Sequence, residues 1–312
     1  MTASLELRDV EKRYGDFVAV AGLSLAVPAG VIFGLLGPNG AGKTTTLRMI
    51  MDILAPDSGE ILLFGRRRQA GDLQRIGYLP EERGLYRKMT VIDQLLFLAE
   101  IHGMKRRQAL PVVEDWLARV ELGEWGRRKI EELSKGMQQK VQLIGTVLHQ
   151  PEILVLDEPF SGLDPINQGL FKELLLEYRR QGRTILFSTH GMEQAEKLCD
   201  HIGLISHGRL VLAGELREIK RLAGGNSYRL VAPATAADLE RVRALPGVEV
   251  AIPRDPLDPA DPRSASVRLL LAPGASSSEL LRQLVQFLEV RELRSEEPDL
   301  EDIFIKAVRD AA

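Results

Sequence analysis

The segment Gly37-Pro38-Asn39-Gly40-Ala41-Gly42-Lys43-Thr44 lies between the apolar run Val31 to Leu36 and a helix-forming stretch from Thr45 to Ile53. No other feature constrains the fold as tightly. A strand that runs into a glycine-rich turn and then a helix can aim its backbone N–H groups at an anion, because residues without Cβ tolerate the dihedrals this needs. The helix adds its positive N-terminus to the same point. The segment therefore reads as a phosphate-binding loop, with Lys43 as a point charge on the terminal phosphates and the Thr44 hydroxyl on Mg²⁺. A glycine turn that merely contains Gly-Lys-Thr is the alternative, and the strand and helix flanks argue against it.

At 312 residues the chain is comfortable for two domains. Its apolar fraction of 45% and charged fraction of 27% are those of a globular protein. No apolar stretch approaches the roughly eighteen residues of a membrane span. The first residues lack the basic and apolar segments of a secretory signal. A single cysteine, Cys199, excludes an internal disulfide and fits a reducing cytoplasm; its helical surroundings predict a packed core thiol. A net charge of −3 gives no electrostatic case for a nucleic-acid partner. Residues 226–312 carry 11 Lys+Arg against 15 Asp+Glu and eight of the sixteen prolines. That break, preceded by Gly224-Gly225-Asn226, predicts a domain boundary, with domains at 1–225 and 226–312.

Within the first domain, short β-like runs (Leu5 to Leu7, Val18 to Val20, Leu23 to Val27) precede the loop, and Thr90 to Gln150 reads as mostly helical. Ile153 to Leu156 and Thr184 to Ser188 read as buried strands flanking a helix from about Gln168 to Arg180. Strands alternating with helices around a phosphate loop predict an α/β fold with a mainly parallel, helix-covered sheet. The first of those strands ends in Asp157-Glu158-Pro159. Two carboxylates at the end of an apolar strand suit a bound cation: Asp157 on the Mg²⁺ side and Glu158 polarising the attacking water. The next strand ends in Ser188-Thr189-His190, which brings His190 to the edge where open α/β sheets bind ligands. Leu133-Ser134-Lys135-Gly136-Met137-Gln138 begins a helix for which Ser134 fits the N-cap.

Taken in order, Tyr14, the phosphate loop, Leu133-Ser134-Lys135-Gly136, Leu156-Asp157-Glu158-Pro159, Ser161-Gly162-Leu163-Asp164 and His190 resemble the ATP-binding subunits of ABC transporters over about residues 4–215. The resemblance implies a P-loop NTPase (ABC ATPase) domain with a helical subdomain at about 85–150. It implies that Tyr14 stacks on adenine and that Gly37, Pro38, Asn39, Gly40, Ala41, Gly42, Lys43, Thr44 and Thr45 bind the phosphates. Thr44 and Asp157 are the implied Mg²⁺ residues, Glu158 the catalytic base, and His190 a γ-phosphate contact linked to Glu158. Ser134 and Gly136 are implied to touch the γ-phosphate held by the other subunit, and Asp164 to connect the two sites.

The chain departs from the family pattern twice. Lys135 replaces the first glycine and Met137 the glutamine of the usual signature, and Glu81 stands where the family has a glutamine. A carboxylate at 81 can bind Mg²⁺ but cannot donate a hydrogen bond. Both departures, with the phrase from Tyr78 to Tyr86 and the ending Leu300 to Phe304, are similar to a bacterial subgroup that pairs with ABC-2-type permeases and includes sodium-extruding exporters. The tail reads as strands (Tyr228 to Val231, Val248 to Ile252, Val267 to Leu271, Val290 to Leu293) and helices (Ala236 to Leu245, Ser278 to Leu288, Leu300 to Val308). The order βαββαβ suggests a small α+β, ferredoxin-like unit. Its acids Glu296, Glu297, Asp299, Glu301 and Asp302 read as a solvated face and helix N-terminus.

The resemblance thus implies an ATPase subunit with ATP and Mg²⁺ as cofactors. It would act as a homodimer beside a separate permease, in the cytoplasm on the inner face of the membrane. A soluble ABC ATPase acting on ribosomes or nucleic acid is the rival, disfavoured by the single cassette and the lack of a long coiled-coil insertion. A non-catalytic nucleotide sensor is disfavoured by the Asp157-Glu158 pair.

Overall fold

The structure is a computed structural model that describes residues 3–69, 71–82, 84–223, 227–254, 264–272, 274–296 and 299–310. The chain divides into two compact units, Met1–Ala213 and Gly214–Ala312.

In the first unit, β1 (Ala3–Tyr14), β2 (Phe17–Pro28) and β3 (Ile32–Leu36) lead to α1 (Lys43–Ile50). Then come β4 (Ser58–Leu63), β5 (Arg66–Arg67), β6 (Ile76–Leu79), α2 (Val91–Ile101), α3 (Arg106–Arg119) and α4 (Lys135–Val147). β7 (Ile153–Asp157), α5 (Pro165–Arg180), β8 (Thr184–Thr189), α6 (Met192–Leu198), β9 (His201–Ser206) and β10 (Arg209–Glu215) follow. The short β runs at the start of the chain are parts of two long strands. β1 and β2 pair antiparallel with register shifts at Leu7/Val10, Val10/Lys12 and Lys12/Arg13. Bulges of this kind break the two-residue alternation, which is why the sequence shows only fragments.

The six-stranded sheet has the order β10-β9-β3-β8-β7-β6. β9, β3, β8, β7 and β6 run parallel. Every residue of β3, β7 and β8 is buried, as expected of parallel strands with both faces covered. The register sets Leu36 level with Thr189, Asp157 with Ser188, and Leu79 with Leu156. The ends of β3, β6, β7 and β8 therefore finish along one edge, and the segments that follow them carry the phosphate loop, Glu81, Glu158 and His190. Residues of α2, α3 and α4, among them Leu95, Val113, Leu117, Val141 and Ile144, form a separate apolar core in the expected helical region. Cys199 is a buried free thiol, and burial pushes its pKa up.

The second unit contains α7 (Leu216–Ala223), β11 (Ser227–Pro233), α8 (Ala236–Arg243), β12 (Val248–Arg254), β13 (Ser264–Leu271), α9 (Ser277–Leu284), β14 (Glu292–Ser295) and α10 (Leu300–Asp310). The compositional boundary at 225 leaves α7 with the first domain, whereas α7 packs against α10 in the second unit. Gly224-Gly225-Asn226 lie outside the described residues. The antiparallel sheet has the order β12-β13-β11-β14, which gives βαββαβ its ferredoxin-like arrangement. Leu230, Val267, Leu269 and Leu271 meet Val242 of α8 and Leu280 and Leu284 of α9 in one core.

The acids before and within α10 differ from the solvated face read from the sequence. Asp302 is fully buried, and Arg268 of β13 bonds Asp302 (3.1 Å), Asp299 (2.5 Å) and Glu296 (3.0 Å). Alternation along β13 explains this. Val267, Leu269 and Leu271 face one core, so Arg268 points to the opposite side of the sheet and finds the acids there. Glu297 lies outside the described residues.

Candidate functional site

Local backbone geometry builds the loop between β3 and α1. Gly42 has φ 103°, and a Cβ there would stand 2.4 Å from the carbonyl oxygen of Ala19, so only glycine fits. No side chain caps α1, which leaves its first N–H groups available to an anion. Lys43 is buried; its Nζ donates to the carbonyls of Gly37 (2.8 Å) and Pro38 (3.2 Å) and lies 3.6 Å from Glu158 Oε1.

Around this loop is a cavity of about 520 Å³. Its lining includes Asn39, Gly40, Ala41, Gly42, Lys43, Thr44 and Thr45 from the loop and α1, with Glu81, Glu158 and His190 from the ends of the sheet. Tyr14 lines the same cavity. Phe17 and Ala19 also line it, and the sequence reading missed them. Tyr14 and Phe17 are directly paired across the turn between β1 and β2, so both rings stand on one face. That pairing was available from the hairpin pattern around Gly15-Asp16. Ser161 is a third residue missed.

The carboxylates sit at different depths. Asp157 is buried; its Oδ1 accepts a hydrogen bond from the Ser188 hydroxyl (2.6 Å) and one from the Thr44 hydroxyl (3.2 Å). Thr44 and Asp157 thus present two hard oxygen donors side by side, a set suited to Mg²⁺ together with phosphate and water oxygens. Glu158 has φ 47°, in the left-handed region that non-glycine residues occupy at a cost. Its N–H donates to Ser188 Oγ (2.9 Å), and His190 Nδ1 lies 3.0 Å from its Oε1. Glu158 therefore stands between a lysine and a histidine, with one face toward the cavity.

Ser134, Gly136 and Asp164 do not line this cavity. Ser134 caps α4, its Oγ accepting the Met137 N–H at 3.3 Å. Asp164 caps α5 and accepts from the N–H (3.0 Å) and carboxamide (2.5 Å) of Asn167; the backbone bond leads in holding its carboxyl below the usual range. A Cβ on Gly136 would stand 3.0 Å from the Asn167 carboxamide nitrogen, so the start of α4 abuts the start of α5.

Residues 20–161 match the family model "ABC transporter", and residues 214–308 match "ATP-binding protein DrrA1-3-like, C-terminal domain". The chain is 43% identical over 304 residues to the ABC transporter ATP-binding protein YhaQ of Bacillus subtilis (strain 168), covering 97% of this chain and 98% of that one. It is 42% identical over 217 residues to the Nod factor export ATP-binding protein I of Burkholderia orbicola (strain AU 1054), covering 68% of this chain and 71% of that protein. It is 35% identical over 246 residues to the linearmycin resistance ATP-binding protein LnrL of Bacillus subtilis (strain 168), covering 77% and 79%. A solved structure described as the ATP binding subunit of an ABC transporter superposes with TM-score 0.65 at 30% identity, over 70% of this chain and 92% of that one. The chain belongs to the ATP-binding proteins of ABC transporters, a family that binds and hydrolyses ATP.

Proposed function

We propose that this chain powers an exporter by hydrolysing ATP at the cavity beside Lys43, in a pair of subunits that closes on two nucleotides and reopens after hydrolysis. The observation that carries the proposal is Glu158, held in a left-handed conformation with Lys43 Nζ at 3.6 Å and His190 Nδ1 at 3.0 Å. In this reading the triphosphate lies along residues 37–45, the base rests on Tyr14 with Phe17 beside it, and Lys43 exchanges its carbonyl partners for terminal phosphate oxygens. Thr44 and Asp157 hold Mg²⁺, which when bound neutralises charge on the β- and γ-phosphates; Glu81 faces the same space. Glu158 accepts a hydrogen bond from the attacking water and takes its proton as the bond to the bridging oxygen breaks, yielding ADP and phosphate. His190 donates to Glu158 from an Nδ1–H tautomer and keeps the carboxylate turned toward the water.

Ser134 and Gly136 belong to the opposite site: they begin α4 outside their own cavity, where a second copy can supply the nucleotide. Asp164, bound to Asn167 beside Gly136, links that contact to the segment after Glu158. The permease is a separate chain, of the ABC-2 type by the resemblance of the segments Tyr78 to Tyr86 and Leu300 to Phe304, and the relatives named for export and for resistance support an exporter. Among the described residues no helix is long and apolar enough to cross a membrane. In this reading the permease holds the subunit in the cytoplasm on the inner membrane face and selects the cargo. Replacing Glu158 by Gln tests the core of the proposal. ATP affinity should remain and turnover fall by about 10²-fold or more; turnover within about threefold of wild type removes Glu158 from the role.

A further inference from the structure

α4 carries two buried glutamines one helical turn apart: Gln139 grips the backbone that follows Glu158, and Gln142 grips the backbone on both sides of Glu81, and both acids line the nucleotide cavity. Gln139 Nε2 donates to the carbonyl oxygens of Pro159 (3.1 Å) and Ser161 (3.4 Å), which follow Glu158. Gln142 Nε2 donates to the carbonyls of Pro80 (3.2 Å) and Glu82 (3.3 Å), which bracket Glu81. Both glutamines are under a tenth exposed, and Gln139 Oε1 is buried without a partner. Burying an amide with an unpaired acceptor costs stability, so the donor side of Gln139 must offset it.

The geometry around Glu158 gives that donor a task. A left-handed glutamate reverts to an ordinary conformation unless its flanks are fixed. Upstream, Ser188 Oγ accepts the Glu158 N–H. Downstream, within the turn, the Ser161 N–H bonds the Glu158 carbonyl at 3.0 Å. From outside the turn, the Phe160 ring packs edge-on against Phe171 and Phe187, and Gln139 supplies side-chain hydrogen bonds to the turn's carbonyls. Gln142 does the same for Glu81, with the Thr146 hydroxyl adding a bond to the Tyr78 carbonyl one turn further along α4 (3.3 Å).

We propose that Gln139 and Gln142 are positioning residues that set Glu158 and Glu81 from the helix beginning at Ser134. A shift of α4 moves both acidic segments together, so the partner's nucleotide, on meeting Ser134, aligns the carboxylates of the other site. The proposal rests on Glu158 as the catalytic base and extends it to residues that touch neither nucleotide nor water.

The test is a pair of mutant cycles on the full chain, read by thermal stability, ATP affinity and single-turnover hydrolysis. Gln139→Met keeps length and burial but removes the donor. It should lower turnover about tenfold with ATP affinity unchanged, the scale of a displaced catalytic group losing weak neutral bonds. In the Glu158→Gln background the same change should have no further effect, because there is no base left to misplace. Gln142→Met should raise the Mg²⁺ concentration for half-maximal turnover, and should do nothing when Glu81 is already Gln. Gln139→Leu repeats the first cycle with a different shape. A silent Gln139→Met, or one whose loss multiplies undiminished with that of Glu158→Gln, overturns the Gln139 role, and a silent Gln142→Met overturns the Gln142 role. Failure of both Gln139 variants to fold also overturns it, since the glutamine would then be serving the fold. If Glu158→Gln alone stays close to wild type, the catalytic assignment falls first, and that result is separable from the others.

Discussion

Ser188→Ala puts the most weight on a single atom. Ser188 Oγ donates to Asp157 Oδ1 at 2.6 Å and accepts the Glu158 N–H at 2.9 Å, and the residue is fully buried. Alanine leaves the Glu158 amide without its acceptor and removes the Ser188 hydroxyl bond to Asp157 Oδ1, leaving that of Thr44. A hydrogen bond to a charged group contributes about 1.5–3 kcal/mol and an orphaned buried amide costs about 1–3 kcal/mol, so a loss of about 3 kcal/mol is expected. A domain stable by about 5–15 kcal/mol remains folded. The denaturation midpoint should therefore drop with an unchanged slope in urea. Turnover should fall further than stability suggests, because the left-handed Glu158 loses its upstream support. About tenfold to a hundredfold is the scale expected of a misplaced catalytic group. A stability loss below about 1 kcal/mol, with turnover near wild type, would show that the Ser188 hydroxyl does not hold these two acids.

Glu81→Gln should raise ATP affinity more without Mg²⁺ than with it, because the carboxylate is repelled by phosphate and attracted by the metal; equal gains in calorimetric titrations under the two conditions contradict this. Burial and the neighbouring Asp299 push the Asp302 carboxyl from 3.8 up to about 6. A raised folded-state pKa means that this group's contribution is fully present below about pH 4 and is lost as pH rises through about 6. Asp302→Asn should then stabilise the second unit at pH 7, by at most about 3 kcal/mol, and approach wild type near pH 4; parallel pH–stability curves for the two proteins would refute it.

The sequence made the catalytic edge legible because its parts are local. A glycine loop after a buried strand and an acid pair ending another need only a parallel sheet to meet, and the register of β3, β7 and β8 brings their ends together. Glutamines 139 and 142 were not legible. In sequence they are polar residues early in a helix, and only packing reveals that their partners stand 20 and about 60 positions away. Asp302 misled for the opposite reason. Acids at the start of a helix normally face water, and the arginine that draws these inward lies 34 residues earlier on a central strand. Phe17 needed only the hairpin pairing with Tyr14, a local inference that an isolated reading of each strand passes over.

Sharing of each site between two subunits is the claim on which transport coupling depends. It is tested most directly by mixing Ser134→Arg with Lys43→Ala protein and measuring ATP turnover against the ratio of the two. Each homodimer has two defective sites, whereas the mixed dimer has one site with both an intact loop and an intact Ser134. Random pairing makes half the dimers mixed, so an equal mixture should recover about a quarter of wild-type turnover if the sites act independently. A mixture that stays at the level of the two mutants at every ratio would contradict a pair of independent shared sites.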